Sequence, residues 1–199
     1  MGEGIGQKMA FEESALNQAI NRIKTINKSI KPIIIGIEGF GGSGKSTLAN
    51  KLKDKLNNCE VISIDAFIIK ESAQQGKPQE DTFDIGRLED QVLKPASSGG
   101  QISYQVLDWA SNTLGGMIEL SNLDYLIIEG ITSFHPTIED YYDFKIWVDT
   151  PIEISKQRGQ LRDKGNENEA MWDKWADCDL VYKEKFHPEN RADFIINNY

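Results

Sequence analysis

Apolar and polar positions follow two rhythms along this chain, and the change from one to the other predicts its elements. From Phe11 to Ile30, apolar residues recur at Phe11, Ala15, Leu16, Ala19, Ile20, Ile23, Ile26 and Ile30. That is the three-and-four spacing of an amphipathic helix packed on a domain, here over about residues 10–30. Residues 1–9 read as a loose tail. The run Ile33-Ile34-Ile35-Gly36-Ile37, opened by Pro32, is apolar without alternation and reads as a strand buried on both faces. Leu48, Leu52 and Leu56 share one face of a helix from Thr47 to Leu56. Val61-Ile62-Ser63-Ile64 is a short second strand with Asp65 just past its end. Residues 70–82 are polar, contain Gly76 and Pro78, and read as a long exposed loop of the kind that serves as a lid or binding loop.

Phe83-Asp84-Ile85 leads into a helix through Leu88, Val92 and Leu93, which Pro95 and Ser97-Ser98-Gly99-Gly100 are expected to stop. Ile102 to Trp109 alternates weakly, as an accessory strand would, and residues 110–118 look like loop. Tyr125-Leu126-Ile127-Ile128-Glu129-Gly130 is an apolar strand ending in an acid, and Phe144 to Asp149 is another. Pro151 suits the first position of a helix. That helix carries Lys156, Arg158, Arg162 and Lys164, the densest basic patch in the chain. Asn166 to Phe186 reads as a helix rich in Trp and charge, and Asp193-Phe194-Ile195-Ile196 as a last strand. Strands alternating with helices predict an α/β fold with a parallel sheet covered on both faces.

At 199 residues the chain fits one domain spanning 1–199 with a full core. Its net charge of −9 argues against wholesale binding of nucleic acid or anionic membranes, so any polyphosphate chemistry must gather its cations locally. No run of 18 apolar residues is present, which excludes a transmembrane helix. Cys59 and Cys178 have no metal-like spacing and read as idle thiols in a reducing compartment. Gly6 stands where a myristoylation signal needs Ser or Thr, and no secretory signal is visible. The expected location is cytoplasmic.

The chemistry concentrates after the first strand. Gly39, Gly44, Lys45 and Ser46 satisfy G-x-x-x-x-G-K-[ST], between a strand and a helix start. Gly39, Gly41, Gly42 and Gly44 let backbone N–H groups turn inward as an anion nest, to which Ser43 and Thr47 also belong. The helix adds its positive end. Lys45 supplies a cation for the β- and γ-phosphates, and the Ser46 hydroxyl can ligate Mg²⁺. The same letters spell G-x-G-x-x-G at Gly39, Gly41 and Gly44. With Asp65 as a ribose ligand this allows a dinucleotide reading, which has no need of Lys45-Ser46. Glu129 ends a buried strand, where an acid beside a phosphate loop serves Mg²⁺ or its water. Asp65 suits a carboxylate that accepts a hydroxyl proton. Arg158 and Arg162, four apart, share a helix face and can form a lid over phosphates. Asp84, Arg87, Trp109 and Asn112 lie between the second strand and the Glu129 strand as acceptor-binding candidates; taken alone, Asp84 reads as a helix cap and Trp109 as core. His135 and His187 read as structural, and nothing resembles a Ser-His-Asp triad.

From about Pro32 to Asn197 the chain resembles the uridine kinase/phosphoribulokinase family of P-loop kinases. The likeness rests on Gly39–Thr47, Ser63-Ile64-Asp65-Ala66-Phe67, Asp81-Thr82-Phe83-Asp84, Leu126 to Ile131, Val148-Asp149-Thr150, Leu161-Arg162-Asp163 and Arg191-Ala192-Asp193-Phe194-Ile195-Ile196. It implies a three-layer α/β/α fold with a parallel five-stranded sheet of order 2-3-1-4-5 and a lid over about residues 152–168. It implies ATP and Mg²⁺ as cofactors, a small hydroxylic metabolite, uridine first, as acceptor, and a homo-oligomer. Asp65 matches the family's catalytic aspartate, Asp84 an acid that holds sugar hydroxyls, and Glu129 the acid after the Walker B strand. Arg158 and Arg162 match lid arginines, and the stretch around Arg191 a segment near adenine. The chain departs from uridine kinases at Leu107-Asp108-Trp109-Ala110-Ser111-Asn112, where a tyrosine and a histidine of the pyrimidine pocket are missing, and at Lys164-Gly165-Asn166, which replaces a second arginine pair. A pantothenate, glycerate or nicotinamide riboside kinase therefore stands beside the nucleoside kinase, and a non-catalytic nucleotide-binding protein beside both.

Overall fold

The computed structural model describes residues 11–108 and 111–199. Strands β1 (Ile33–Glu38), β2 (Cys59–Ser63), β5 (Tyr125–Glu129), β6 (Phe144–Asp149) and β7 (Phe194–Asn197) form one sheet. Its order is β2-β5-β1-β6-β7, and every pairing in it is parallel. Counted along these strands alone, that is the expected 2-3-1-4-5. Helices α1 (Glu13–Lys24) and α2 (Lys45–Lys53) lie on one face, where Ile20, Ile23, Leu48 and Leu52 pack on Ile33, Ile35, Ile37 and Ile146. Ile34, Ile62, Leu126, Ile128 and Trp147 face the other way and pack on Leu88, Val92 and Phe134. Both sides of β1 are therefore buried, which explains its unbroken apolar run. Among the described residues no helix is long and apolar enough to cross a membrane.

Several boundaries differ from the sequence reading. The first helix ends at Lys24, because Thr25 caps it by bonding back to the Arg22 carbonyl, and Ile30 is half exposed instead of joining its stripe. The polar stretch 70–82 is only partly loop: α3 (Lys70–Gln75) forms there, closed by Gly76 in the left-handed region, followed by a 3₁₀ turn at Gln79–Asp81. Pro95 does not stop the next helix. Between α4 (Ile85–Leu88) and α5 (Lys94–Ser97) a π turn at Glu89–Leu93 widens the backbone just where Pro95 lacks an N–H, and the rod runs on. Residues 113–118 are not loop but lie within β4 (Thr113–Leu120), which pairs antiparallel with β3 (Ile102–Asp108) as a separate two-stranded sheet. Gly115 and Gly116 and the exposure of β4 hide its alternation. The chain continues with α6 (Ile152–Arg162), a 3₁₀ turn at Glu169–Met171, α7 (Trp172–Phe186) and α8 (Pro188–Arg191).

Candidate active site

The carboxyl ends of β1, β2 and β5 open into a cavity of about 880 Å³, the place where open parallel sheets bind ligands. The loop from β1 to α2 forms its floor. Gly44 takes φ 102°, a left-handed conformation that starts α2 with its amides turned inward. Gly42 admits no side chain, since a Cβ there would lie 2.2 Å from the Ser155 carbonyl oxygen on α6. The loop is also held from outside. Asn198 Nδ2 donates to the Ser43 carbonyl at 2.7 Å, Thr150 Oγ1 donates to it at 3.2 Å, and Phe40 sits edge-on to Trp147.

Lys45 Nζ donates to the Phe40 carbonyl at 2.8 Å, inside the curl of the loop. Ser46 Oγ donates to Glu129 Oε1 at 3.1 Å, joining the hydroxyl after the lysine to the acid at the end of β5. Burial raises the Glu129 carboxyl above its ordinary pKa, Lys45 opposes that, and Asp65 adds to it. Asp65 begins the 3₁₀ turn after β2, where Ser63 Oγ accepts its N–H at 3.3 Å. Its carboxyl opens to the cavity yet is hemmed in by protein, which raises its pKa, while Lys45 and Arg162 pull it down. Lys45, Ser46, Asp65, Glu129, Arg158 and Arg162 thus border one space. Hard oxygen donors at Ser46 and Glu129 fit a Mg²⁺ ion that takes its remaining ligands from phosphate and water. Among the described residues no group of three or more His, Cys, Asp or Glu could hold a metal by itself.

Helix α6 is anchored at both arginines. Arg158 Nη1 donates to the Asn198 carbonyl at 2.9 Å. Arg162 pairs with Asp163 through two bonds of 3.0 Å and lies over the Trp172 ring. Trp172 Nε1 donates to Asp163 at 2.9 Å, so arginine, aspartate and indole form one unit. A Cβ on Gly159 would meet that indole at 2.3 Å, so α6 and α7 touch with no space between them.

The acceptor candidates are distributed differently. Asp84 is the N-cap of α4, accepting Arg87 N–H at 2.9 Å, and does not line the cavity. Arg87 donates to the carbonyls of Gln105 at 2.7 Å and Ala66 at 2.9 Å and covers the Phe67 ring, so it ties β3 to the turn that carries Asp65. Asn112 donates to Glu71 on α3 at 2.8 Å. Trp109 lies outside the described residues. Arg191 pairs with Glu139 at 3.0 Å, away from the cavity lining. His135 packs against Tyr182 and Phe186, in keeping with a structural role.

In their place the far wall consists of Ile68, Gln79, Thr82, Phe83, Trp175 and Asp179. Asp179, from α7, accepts the Gly41 N–H at 2.7 Å and the Gln79 amide; burial pushes its pKa up to about 6. Sequence reading marked 70–82, which holds Gln79 and Thr82, as a lid or binding loop, but passed over Ile68, Trp175 and Asp179 because tertiary packing brings them in from separated segments. One signal was available: Asp179 interrupts an aromatic stripe of Trp172, Trp175, Tyr182 and Phe186 on one helix face. Glu38 was missed as well. It is fully buried, accepts Phe134 N–H at 3.0 Å, and burial raises its carboxyl well above the ordinary range. It supports the segment after Glu129 from below, and its only mark in the sequence is an acid between Ile37 and Gly39.

Comparison with known proteins agrees with this geometry. The KAP family P-loop domain matches residues 15–167. The uridine kinase of Lactobacillus helveticus is 27% identical over 188 residues, covering 86% of this chain and 89% of that protein. The uridine kinase of Clostridium botulinum is 30% identical over 144 residues, covering 67% of this chain and 69% of that protein. A solved structure described as a possible uridine kinase from Bacillus stearothermophilus superposes with a TM-score of 0.70 at 22% identity, covering 92% of this chain and 97% of that one. That last likeness concerns the fold.

Proposed function

The chain belongs to the P-loop NTPases as a uridine kinase-like small-molecule kinase, and from that premise we propose that it transfers the γ-phosphate of Mg-ATP to a hydroxyl of a nucleoside, uridine first. The observation that carries this reading is the meeting of Lys45, the Ser46–Glu129 pair and Asp65 in one cavity at the sheet's carboxyl edge. The amides of Gly42, Gly44, Lys45 and Ser46, with the Lys45 ammonium, hold the triphosphate. Ser46 and Glu129 would hold Mg²⁺, which would supply neutralisation of the phosphate charge. Asp65 accepts the proton of the acceptor hydroxyl as its oxygen bonds to the γ-phosphorus and the bond from that phosphorus to the β–γ bridging oxygen breaks, leaving ADP. Arg158 and Arg162 close over the transferring group and exclude water. The likeness to uridine kinases supports the nucleoside, and a cytoplasmic location goes with this reading.

One observation favours a second acceptor class. Asp84 caps α4 and Arg87 braces β3, and neither lines the cavity, so the sugar-holding role that the resemblance gives Asp84 is not met from the cavity wall. Another small alcohol, such as pantothenate, glycerate or nicotinamide riboside, then takes the nucleoside's place. ADP release from Mg-ATP against a panel of nucleosides and these alcohols separates the two classes. Turnover with uridine well above the acceptor-free rate supports the first. Release that no acceptor stimulates, with nucleotide binding intact, would sink the kinase reading in favour of a binding protein.

A further inference from the structure

Asp179 is a buried acid that the phosphotransfer scheme leaves unused. It is 4% exposed, lines the cavity, and sits in the middle of an otherwise aromatic helix face. Its two hydrogen-bond partners among the described residues are neutral donors: the Gly41 N–H of the phosphate loop and the Gln79 amide. An asparagine, with Gln79 flipped, would make the same two bonds without burying a charge. Lys45 favours its charged form, but among the described residues Asp179 makes no ion pair, so the buried charge calls for a further partner.

A carboxylate accepts about four hydrogen bonds, so these two donors leave Asp179, on the cavity lining, with acceptor capacity to spare. Because it is bonded to a phosphate-loop amide, it lies beside the place where a terminal phosphate is held. Asp65, across the cavity, is assigned the proton of the attacking hydroxyl. Phe83 and Trp175 supply apolar surface on the same wall. A carboxylate here repels another anion and welcomes a hydroxyl donor.

We propose that Asp179 determines acceptor specificity: its carboxylate accepts a hydrogen bond from a second hydroxyl of an uncharged polyhydroxy acceptor, near the hydroxyl that is phosphorylated, and disfavours acceptors bearing a carboxylate. This assignment rests on the kinase reading and gives Asp179 the role that the resemblance gives Asp84. A charged group that reads a hydroxyl discriminates strongly against the analogue lacking it, since it is left buried and unpaired.

The test compares wild type with Asp179→Asn and Asp179→Glu, using uridine, 2′,3′-dideoxyuridine and D-glycerate as acceptors in an ADP-release assay. Fluorescence titrations with uridine and with a non-hydrolysable ATP analogue, read from the intrinsic tryptophan emission, accompany it. Wild type is expected to favour uridine over the dideoxy compound by at least about tenfold in kcat/KM. Asp179→Asn should raise the uridine KM about tenfold, remove that preference and gain glycerate turnover, with the ATP-analogue Kd within about twofold. Asp179→Glu, which keeps the charge, should still reject glycerate; it also carries the test if the asparagine variant does not fold. Preference for glycerate by wild type overturns the proposal and leaves the kinase intact. So does an effect of Asp179→Asn on the ATP-analogue Kd in place of the uridine KM. If no acceptor is turned over, the kinase reading fails by itself. Equal uridine Kd values for wild type and Asp179→Asn then overturn the role of Asp179, and a weaker Kd in the variant upholds it.

Discussion

The floor and the far wall of the cavity are built by different means. The phosphate loop is held through its backbone: the Ser43 carbonyl takes bonds from Asn198 and Thr150, the Gly41 N–H reaches Asp179, and the Ser155 carbonyl fills the space beside Gly42. The far wall is a set of side chains, Ile68, Gln79, Phe83, Trp175 and Asp179, brought in by a turn and a distant helix. Backbone grips phosphate because every P-loop substrate presents the same phosphate. Side chains face the acceptor, the part that differs among kinases. Asp179 belongs to both sides, and perturbing each separately tests the division.

The largest effects should come from the chemistry on the floor. Lys45→Ala and Asp65→Asn are each expected to lower kcat by about 10²–10⁴-fold with the melting temperature little changed. A steady-state assay beside a thermal melt checks this, and full turnover by Asp65→Asn removes it as the base. Next is Trp172→Ala, which empties a buried site between α6, α7 and the loop. A loss of about 3–5 kcal/mol in urea unfolding is expected. A loss below about 1 kcal/mol would mean that floor and wall are not packed as one body. Asn198→Ala should cost about 1 kcal/mol and raise the ATP KM several-fold while the acceptor KM stays put. A matching rise in the acceptor KM would blur the division.

The smallest effect is a pH slope. The Asp179 carboxyl is raised from 3.8 to about 6, so burial favours its protonated form in the fold. Stability from that group is fully present below about pH 4 and is lost as pH rises through about 6. The difference in melting temperature, Asp179→Asn minus wild type, should therefore grow more positive from about pH 4 to about pH 7. A flat difference would place the carboxyl in a wetter site than its surroundings indicate.

Legibility in the sequence follows the same division. Gly39 to Thr47 could be read directly, because an anion nest demands particular residues at fixed spacing. The strand order came from the resemblance, and the parallel sheet from unbroken apolar runs such as Ile33–Ile37. Strand β4 was hidden because Gly115, Gly116 and a solvated surface remove the period-two signal. Helix α3 was hidden because Lys70–Gln75 is almost wholly polar, and only packing on the far side of the cavity orders it. Asp84 and Arg87 had suitable chemistry at suitable positions, but chain order cannot tell a helix cap from a ligand. Asp179 and Gln79 are 100 residues apart and meet only in the folded chain.

The contact of Gly159 with the Trp172 indole has a mechanical consequence. With no room for even a methyl group between them, α6 cannot pivot against α7 without driving the ring into the backbone. Arg158, Arg162 and Asp179 therefore sit on one tightly packed two-helix block. Any shift of that block would carry the groups at the phosphates and the group at the acceptor wall together.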